Sequence, residues 1–211
     1  MSNLNIKCLT LGEINSNCYI VSENKKAFVI DPGAEGEKIN NYLSEHDLDL
    51  EFIINTHGHF DHIGANKFLK NNYDADILAH PRANIKFSDP EKNLSLHFFN
   101  RRIVSPPLDK EIHDGDEINF NNKILKILYT PGHSEDGISV YIKSKEILFS
   151  GDCIFANGYG RTDLYDSNFK ELKKSISEKL LTLPENTTFY SGHGPKSTLK
   201  KFENRIWPTI N

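Results

Sequence analysis

Apolar residues along the first thirty positions either alternate with polar ones or gather in short blocks, which is the signature of strands. Leu4 to Leu11 and Cys18 to Ser22 read as two strands, joined by a loop carrying Gly12 and Asn15-Ser16-Asn17. After the polar turn Lys25-Lys26, Ala27-Phe28-Val29-Ile30 reads as a third strand, stopped by Asp31-Pro32-Gly33. These three make an antiparallel meander. The period then changes: Ile39 and Leu43 stand four apart within Glu35 to His46, one face of a helix. Leu50 to Asn55 returns to strand, with the buried-type run Phe52-Ile53-Ile54. A helix is expected from Asp61 to about Tyr73, then a short strand from Asp76 to Ala79.

The stretch from about Phe87 to Lys110 carries Pro90, Pro106 and Pro107 and reads as an irregular, functional-length loop. Beyond it, Glu117 to Phe120 and Ile124 to Tyr129 predict a hairpin across Asn121-Asn122. Gly137 to Ile142 and Glu146 to Ser150 predict another across Lys143-Ser144-Lys145. Phe169, Leu172, Ile176, Leu180 and Leu183 recur at helical steps within Asn168 to Leu183. Thr187 to Tyr190 reads as the last strand and Thr198 to Ile206 as a closing helix. Two strand-rich blocks, each followed by helical material, predict an α+β fold: two sheets face to face with helices outside.

Composition narrows this picture. The 211 residues suit one domain with a substantial core, and no repeat, low-complexity tract or linker divides residues 1–211. The formal charge of −4 argues against nucleic acid as a partner. No apolar run has the length of a membrane span, and Met1-Ser2-Asn3-Leu4 lacks the features of a signal peptide, so a cytoplasmic protein without membrane partners is expected. The three cysteines, Cys8, Cys18 and Cys153, form no C-x-x-C pair and fit a reducing compartment. Cys153 follows Asp152, and alternation turns it into the core as a buried thiol.

The chemistry concentrates in Thr56-His57-Gly58-His59-Phe60-Asp61-His62, between an expected strand and an expected helix. Such a turn places side chains at the carboxyl edge of a sheet, where α/β proteins gather their sites. His57 and His59, two apart on extended chain, can close on one metal ion, while Asp61 and His62 fall where the helix begins and serve a second. Imidazole nitrogen and carboxylate oxygen suit zinc, and also iron or manganese. Three further strand ends carry ligand types: Thr130-Pro131-Gly132-His133-Ser134, Ser150-Gly151-Asp152 and Ser191-Gly192-His193-Gly194-Pro195. One metal takes three or four ligands, so His57, His59, Asp61, His62, His133, Asp152 and His193 fit two ions with a shared carboxylate. The expected division is His57, His59 and His133 on one ion, Asp61, His62 and His193 on the other, and Asp152 bridging. His46, His80, His97 and His113 lack the glycine-flanked strand-end context and read as ordinary.

The His-x-His-x-Asp-His turn with its later single His, Asp and His positions resembles the metallo-β-lactamase fold superfamily. Asn17-Cys18-Tyr19, Asp31-Pro32-Gly33, Gly160-Arg161-Thr162-Asp163 and Gly192-His193-Gly194-Pro195 resemble its glyoxalase II-like (hydroxyacylglutathione hydrolase) group. The resemblance implies an αββα sandwich with a dinuclear site, two zinc ions (iron or manganese as substitutes), and hydrolysis of an S-acyl-glutathione-type thioester by a metal-bridging hydroxide. It makes Asp61 and Asp152 catalytic as well as ligating. It also places Arg161 near the substrate's polar tail, with an ion pair to Asp163 as its alternative use. Apart from the resemblance, Lys196 is a candidate anion contact or a solvated surface lysine, and Tyr159 a candidate substrate contact in a pocket wall. Asp31 and Thr56 are candidates to orient the ligand imidazoles, or simply to form the turn. Full-length members carry a C-terminal helical domain with glutathione contacts, which the chain ending at Asn211 does not accommodate, so specificity is expected from the 87–110 loop and the Asn157-Gly158-Tyr159-Gly160 turn. Phe98 and Phe99 are wall candidates there, with apolar packing as their alternative use. A persulfide dioxygenase of the same fold, with one iron on His57, His133 and Asp152, is the rival reading. A non-enzymatic binding protein would have lost ligands, and all seven are intact. The expected partner is a small thioester or thiol-derived molecule, for a monomer or homodimer.

Overall fold

In the computed structural model, residues 4–210 are described, and their backbone divides into two compact units, one up to Glu111 and the other from Ile112 on. The first contains β1 (Asn5–Leu11), β2 (Ser16–Glu23), β3 (Lys26–Ile30), α1 (Gly36–Glu45), β4 (Asp49–Ile54), α2 (Phe60–Ile63), α3 (Asn66–Tyr73), β5 (Asp76–Ala79), α4 (Ala83–Ser88), α5 (Ser95–Phe99) and β6 (Lys110–Glu111). Its strands form one sheet in the order β1-β2-β3-β4-β5-β6. The meander β1-β2-β3 is antiparallel, and the chain then crosses over through helices, so β3, β4, β5 and β6 are parallel. One alternating set, Cys18, Ile20, Ala27, Val29, Ile53 and Ile77, packs with Ile39 and Leu43 of α1 and Leu69 of α3. The opposite set, including Tyr19, Val21, Phe28, Ile30 and Leu78, is buried too, so both faces of this sheet are inside.

The second unit contains β7 (Glu117–Phe120), β8 (Lys123–Tyr129), β9 (Ile138–Ile142), β10 (Ile147–Gly151), β11 (Ile154–Phe155), β12 (Gly158–Tyr159), α6 (Phe169–Ser175), β13 (Thr188–Ser191), β14 (Ser197–Thr198), α7 (Leu199–Arg205) and α8 (Trp207–Ile210). Its main sheet runs β14-β13-β10-β9-β8-β7, antiparallel apart from the parallel β10–β13 pair. Asn121 and Asn122 take positive φ (47° and 64°), the two left-handed positions that a two-residue hairpin turn needs. The Asn168 side chain caps α6 by accepting the Lys170 and Glu171 N–H groups. The helix continues as a π-helical turn, Ile176–Leu180, and buries Leu172, Ile176 and Leu180 against Leu148, Phe189 and Phe202. Phe169, expected on that apolar stripe, is instead 41% exposed at the first turn, beside the Tyr159 ring.

Two mixed sheets with helical layers bear out the α+β expectation, and three local readings change. The expected helix from Asp61 to Tyr73 is two pieces, because the chain is pinned between them. Ala65 N–H donates to the Pro32 carbonyl (2.8 Å), and a Cβ on Gly64 would stand 2.2 Å from the Gly33 carbonyl oxygen. The 87–110 stretch is not wholly irregular, since α5 and the end of α4 lie within it, punctuated by Leu94 and Asn100 at positive φ. The small β11–β12 hairpin and β14 were not expected at all. No helix among the described residues is long and apolar enough to cross a membrane.

Candidate metal centre

Strand β4 delivers the histidine turn, and Asp31 at the end of the neighbouring β3 holds it. Asp31 sits at φ 51°. Its Oδ1 accepts the Thr56 N–H (2.7 Å) and its Oδ2 accepts the Thr56 hydroxyl (2.6 Å). The same Oδ2 lies 3.0 Å from His62 Nδ1, while Thr56 Oγ1 is 3.2 Å from His57 Nδ1. Thus two imidazoles are oriented through Nδ1, the arrangement that turns Nε2 toward a metal. Both orienting candidates from the sequence therefore contact candidate ligand histidines, and turn formation is part of the same contact.

His57, His59, Asp61 and His62 are all buried. The His57 and His59 rings stand edge to face with centroids 4.5 Å apart, and the His57 and His62 centroids are 4.1 Å apart. His62 Nε2 is 3.2 Å from Asp61 Oδ2. The backbone of the turn is fixed from several sides. Asn55 Nδ2 donates to the His62 carbonyl (2.8 Å), Ser16 Oγ to the Asp61 carbonyl (2.7 Å), and the Phe60 N–H to the Asn93 carbonyl (3.0 Å). A Cβ on Gly33 would fall 1.6 Å from the Asp61 carbonyl oxygen, so only glycine admits this approach.

In the second unit the remaining three candidates come together at the ends of β8, β10 and β13. Asp152 Oδ2 lies 3.6 Å from His133 Nε2 and 3.5 Å from His193 Nε2, between the two rings. The Gly192 N–H donates to the Gly151 carbonyl (2.9 Å), which holds the two strand ends level. His133 Nδ1 engages the Arg161 carbonyl oxygen (3.0 Å), so Nε2 again faces the carboxylate. Ser167 Oγ donates to the His133 carbonyl (2.7 Å). Gly160 closes against both candidate ligands, for a Cβ there would stand 2.0 Å from the Asp152 carbonyl oxygen and 2.8 Å from His133 Cβ.

The Gly160-Arg161-Thr162-Asp163 stretch thus acts through its backbone on His133 and Asp152, a role that side-chain reasoning missed. The Arg161 guanidinium forks onto Asp163 (2.7 and 2.8 Å) and holds that carboxyl down to about 2. Tyr159 is half-buried beside Phe169, and Lys196 is exposed with its Nζ 5.5 Å from the Tyr190 ring centroid. Cys153 is buried as expected, and burial, reinforced by the Asp152 charge, pushes its thiol well up. His46 stacks on Tyr42 and is exposed, as are His97 and His113.

Each unit therefore presents a set of imidazole nitrogen and carboxylate oxygen donors, two-thirds or more buried, of the type that holds a first-row metal. The family model described as the metallo-beta-lactamase superfamily matches residues 11–193, from β1 to the last of these histidines. The chain belongs to the metallo-β-lactamase superfamily. As a superfamily member it is 39% identical over 189 residues to "Probable metallo-hydrolase YqgX" of Bacillus subtilis, covering 90% of each chain. It is 31% identical over 217 residues to the hydroxyacylglutathione hydrolase GloC of Haemophilus influenzae, covering 99% of each. Among solved structures, the BLEG-1 B3 metallo-β-lactamase superposes with a TM-score of 0.94 at 32% identity, over 98% of this chain and 100% of that one. A di-iron-bound form of TTHA1623 gives 0.84 at 31%, over 95% and 98%. The superfamily fold, an αββα sandwich, is the one expected from the sequence.

Proposed function

We propose that this superfamily member is a dinuclear metallohydrolase that cleaves thioesters of the 2-hydroxyacyl-glutathione type. The observation that carries the reading is the position of Asp152, whose single oxygen Oδ2 faces both His133 and His193. A carboxylate set between two imidazoles is placed to serve two ions at once. In this reading His57, His59 and His133 would hold one ion, Asp61, His62 and His193 the other, and Asp152 would be shared. Zinc, iron or manganese held there would supply a hydroxide at neutral pH and Lewis acidity toward the thioester carbonyl.

The chain's own groups do the positioning. Thr56 and Asp31 fix the imidazoles of His57 and His62, and the Arg161 carbonyl fixes that of His133. Asp61 and Asp152 would each offer carboxylate oxygens to the bound cations. No protein nucleophile is asked for, and the buried, protonated thiol of Cys153 does not offer one. The hydroxyacylglutathione hydrolase relative supports the substrate class.

The test is metal content of protein purified without added metal or chelator, followed by thioester turnover. About two ions per chain and hydrolysis of S-lactoylglutathione are expected. About one iron per chain, with oxygen consumed in the presence of glutathione persulfide, overturns the reading in favour of the dioxygenase. Protein that takes up no metal on reconstitution overturns both.

A further inference from the structure

The first unit carries a groove of about 410 Å³ that runs up to Asp61. Its walls are mainly apolar: Leu11, Ile14, Ala34, Phe60, Phe99 and Ile103. That volume is of small-ligand size. Phe60 belongs to the metal-binding turn, and its ring meets Phe99 edge to face (5.5 Å between centroids) and Phe98 at 6.4 Å. The far wall is anchored to the same turn. The Phe60 N–H donates to the Asn93 carbonyl (3.0 Å), and Asn66 Nδ2 donates to Ser105 Oγ (2.9 Å) and to Asn55 Oδ1 (2.8 Å). Asn93 Nδ2 in turn donates to the Ile103 carbonyl (2.8 Å). The 87–110 stretch is therefore a built wall with its own hydrogen-bond frame.

The charges on this groove are already matched. Arg101 and Glu13 meet at 2.5 Å, and Glu35 pairs with Lys38 and accepts the Gly12 N–H (3.0 Å). Ile14, Phe98 and Val104 are 40%, 46% and 44% exposed, so three large apolar side chains on or beside the groove face solvent. Exposed apolar surface gathered at one concavity marks a binding surface.

We propose that this groove is the acyl subsite and that turnover rises as the acyl chain gains apolar carbons beyond the reacting carbonyl, 2-hydroxyacyl thioesters included. The proposal rests on the thioesterase reading above, and it names the part of the substrate that Phe99, Ile14 and Ile103 recognise. Each methylene seated against these walls adds about a two- to fourfold gain.

The test compares acetyl, butyryl and hexanoyl thioesters of a single thiol on the metal-loaded enzyme. Alongside it, calorimetric binding of S-hexyl and S-methyl thioethers of that thiol, which are not hydrolysed, reads the groove without turnover. The expected result is a kcat/KM that climbs with chain length, about tenfold from butyryl to hexanoyl, and tighter binding of the hexyl thioether. Phe99→Ala and Ile14→Asp should flatten both trends, whereas Ile85→Asp, an exposed site away from the groove, should keep them. Thermal unfolding of each variant verifies that it folds, and Ile14, already partly exposed, tolerates the polar replacement. Hydrolysis that is indifferent to chain length, or unaltered in the groove variants, overturns the acyl subsite and leaves the thioesterase standing. Absence of hydrolysis for every thioester, with Phe99-dependent binding of the hexyl thioether retained, overturns the thioesterase and leaves an apolar site.

Discussion

A Cβ on Gly160 would stand 2.0 Å from the carbonyl oxygen of Asp152. No side chain fits that space, so the two backbones touch only because residue 160 is glycine. Gly160→Ala must push Asp152 or His133 out of place. The expected cost is about 1–3 kcal/mol of stability, with tenfold or greater loss of metal affinity. Gly158→Ala is the matched control, since a Cβ there meets nothing within 4 Å. Urea unfolding and chelator competition on the pair of variants measure both effects, and equal behaviour of the two would remove the close-contact argument.

Asp31 reaches the site only through its neighbours, Thr56 and His62. Asp31→Asn keeps the size of the side chain but exchanges one acceptor oxygen for an amide donor. That disturbs the contact with either the Thr56 hydroxyl or His62 Nδ1. Metal affinity is expected to fall about 10- to 100-fold while circular dichroism stays native. Retention of full affinity would reduce Asp31 to a turn former.

Burial holds the thiol of Cys18 and the phenol of Tyr19 well above their ordinary values, in each case chiefly by desolvation. Their unfolded counterparts titrate near about 8.5 and 10. Above those values the unfolded chain loses protons that the folded chain keeps, so the contribution of each group is complete at lower pH and is lost as pH rises. Cys18 alone therefore lowers stability progressively as pH rises above roughly 9. Urea unfolding at pH 8 and pH 10 should show the fall, and Cys18→Ala should lessen it.

Much of this molecule is legible locally. The Asn121-Asn122 hairpin, the Ile39–Leu43 helix face and the strand before the histidine turn all follow from short-range period and turn chemistry, and each appears where expected. The seven ligand types were legible for the same reason, since each stands at a strand end beside a glycine or a second ligand. What the sequence hid are contacts between distant segments. The expected Asp61–Tyr73 helix breaks because Gly33 backs onto Gly64 and Pro32 accepts the Ala65 N–H. The role of the Arg161 carbonyl toward His133 is equally invisible, because any residue has that carbonyl and only tertiary position selects it. The 87–110 wall was unreadable because its short helices are held by side-chain amides such as Asn93 and Asn66 rather than by an apolar period.

The two groups of candidate ligands also differ in how far the chain must travel to assemble them. His57 to His62 lie close together in the chain, from the end of β4 into α2. Asp152 and His193 come level only after β10 and β13 pair in parallel, with α6 and its π-helical extension looped out between them. Closing so long a connection is entropically slow compared with local structure. The four candidates of the histidine turn are therefore expected to come together before the carboxylate between His133 and His193 is in place. Metal added during refolding should accelerate the early steps, and Asp152 should report on the last.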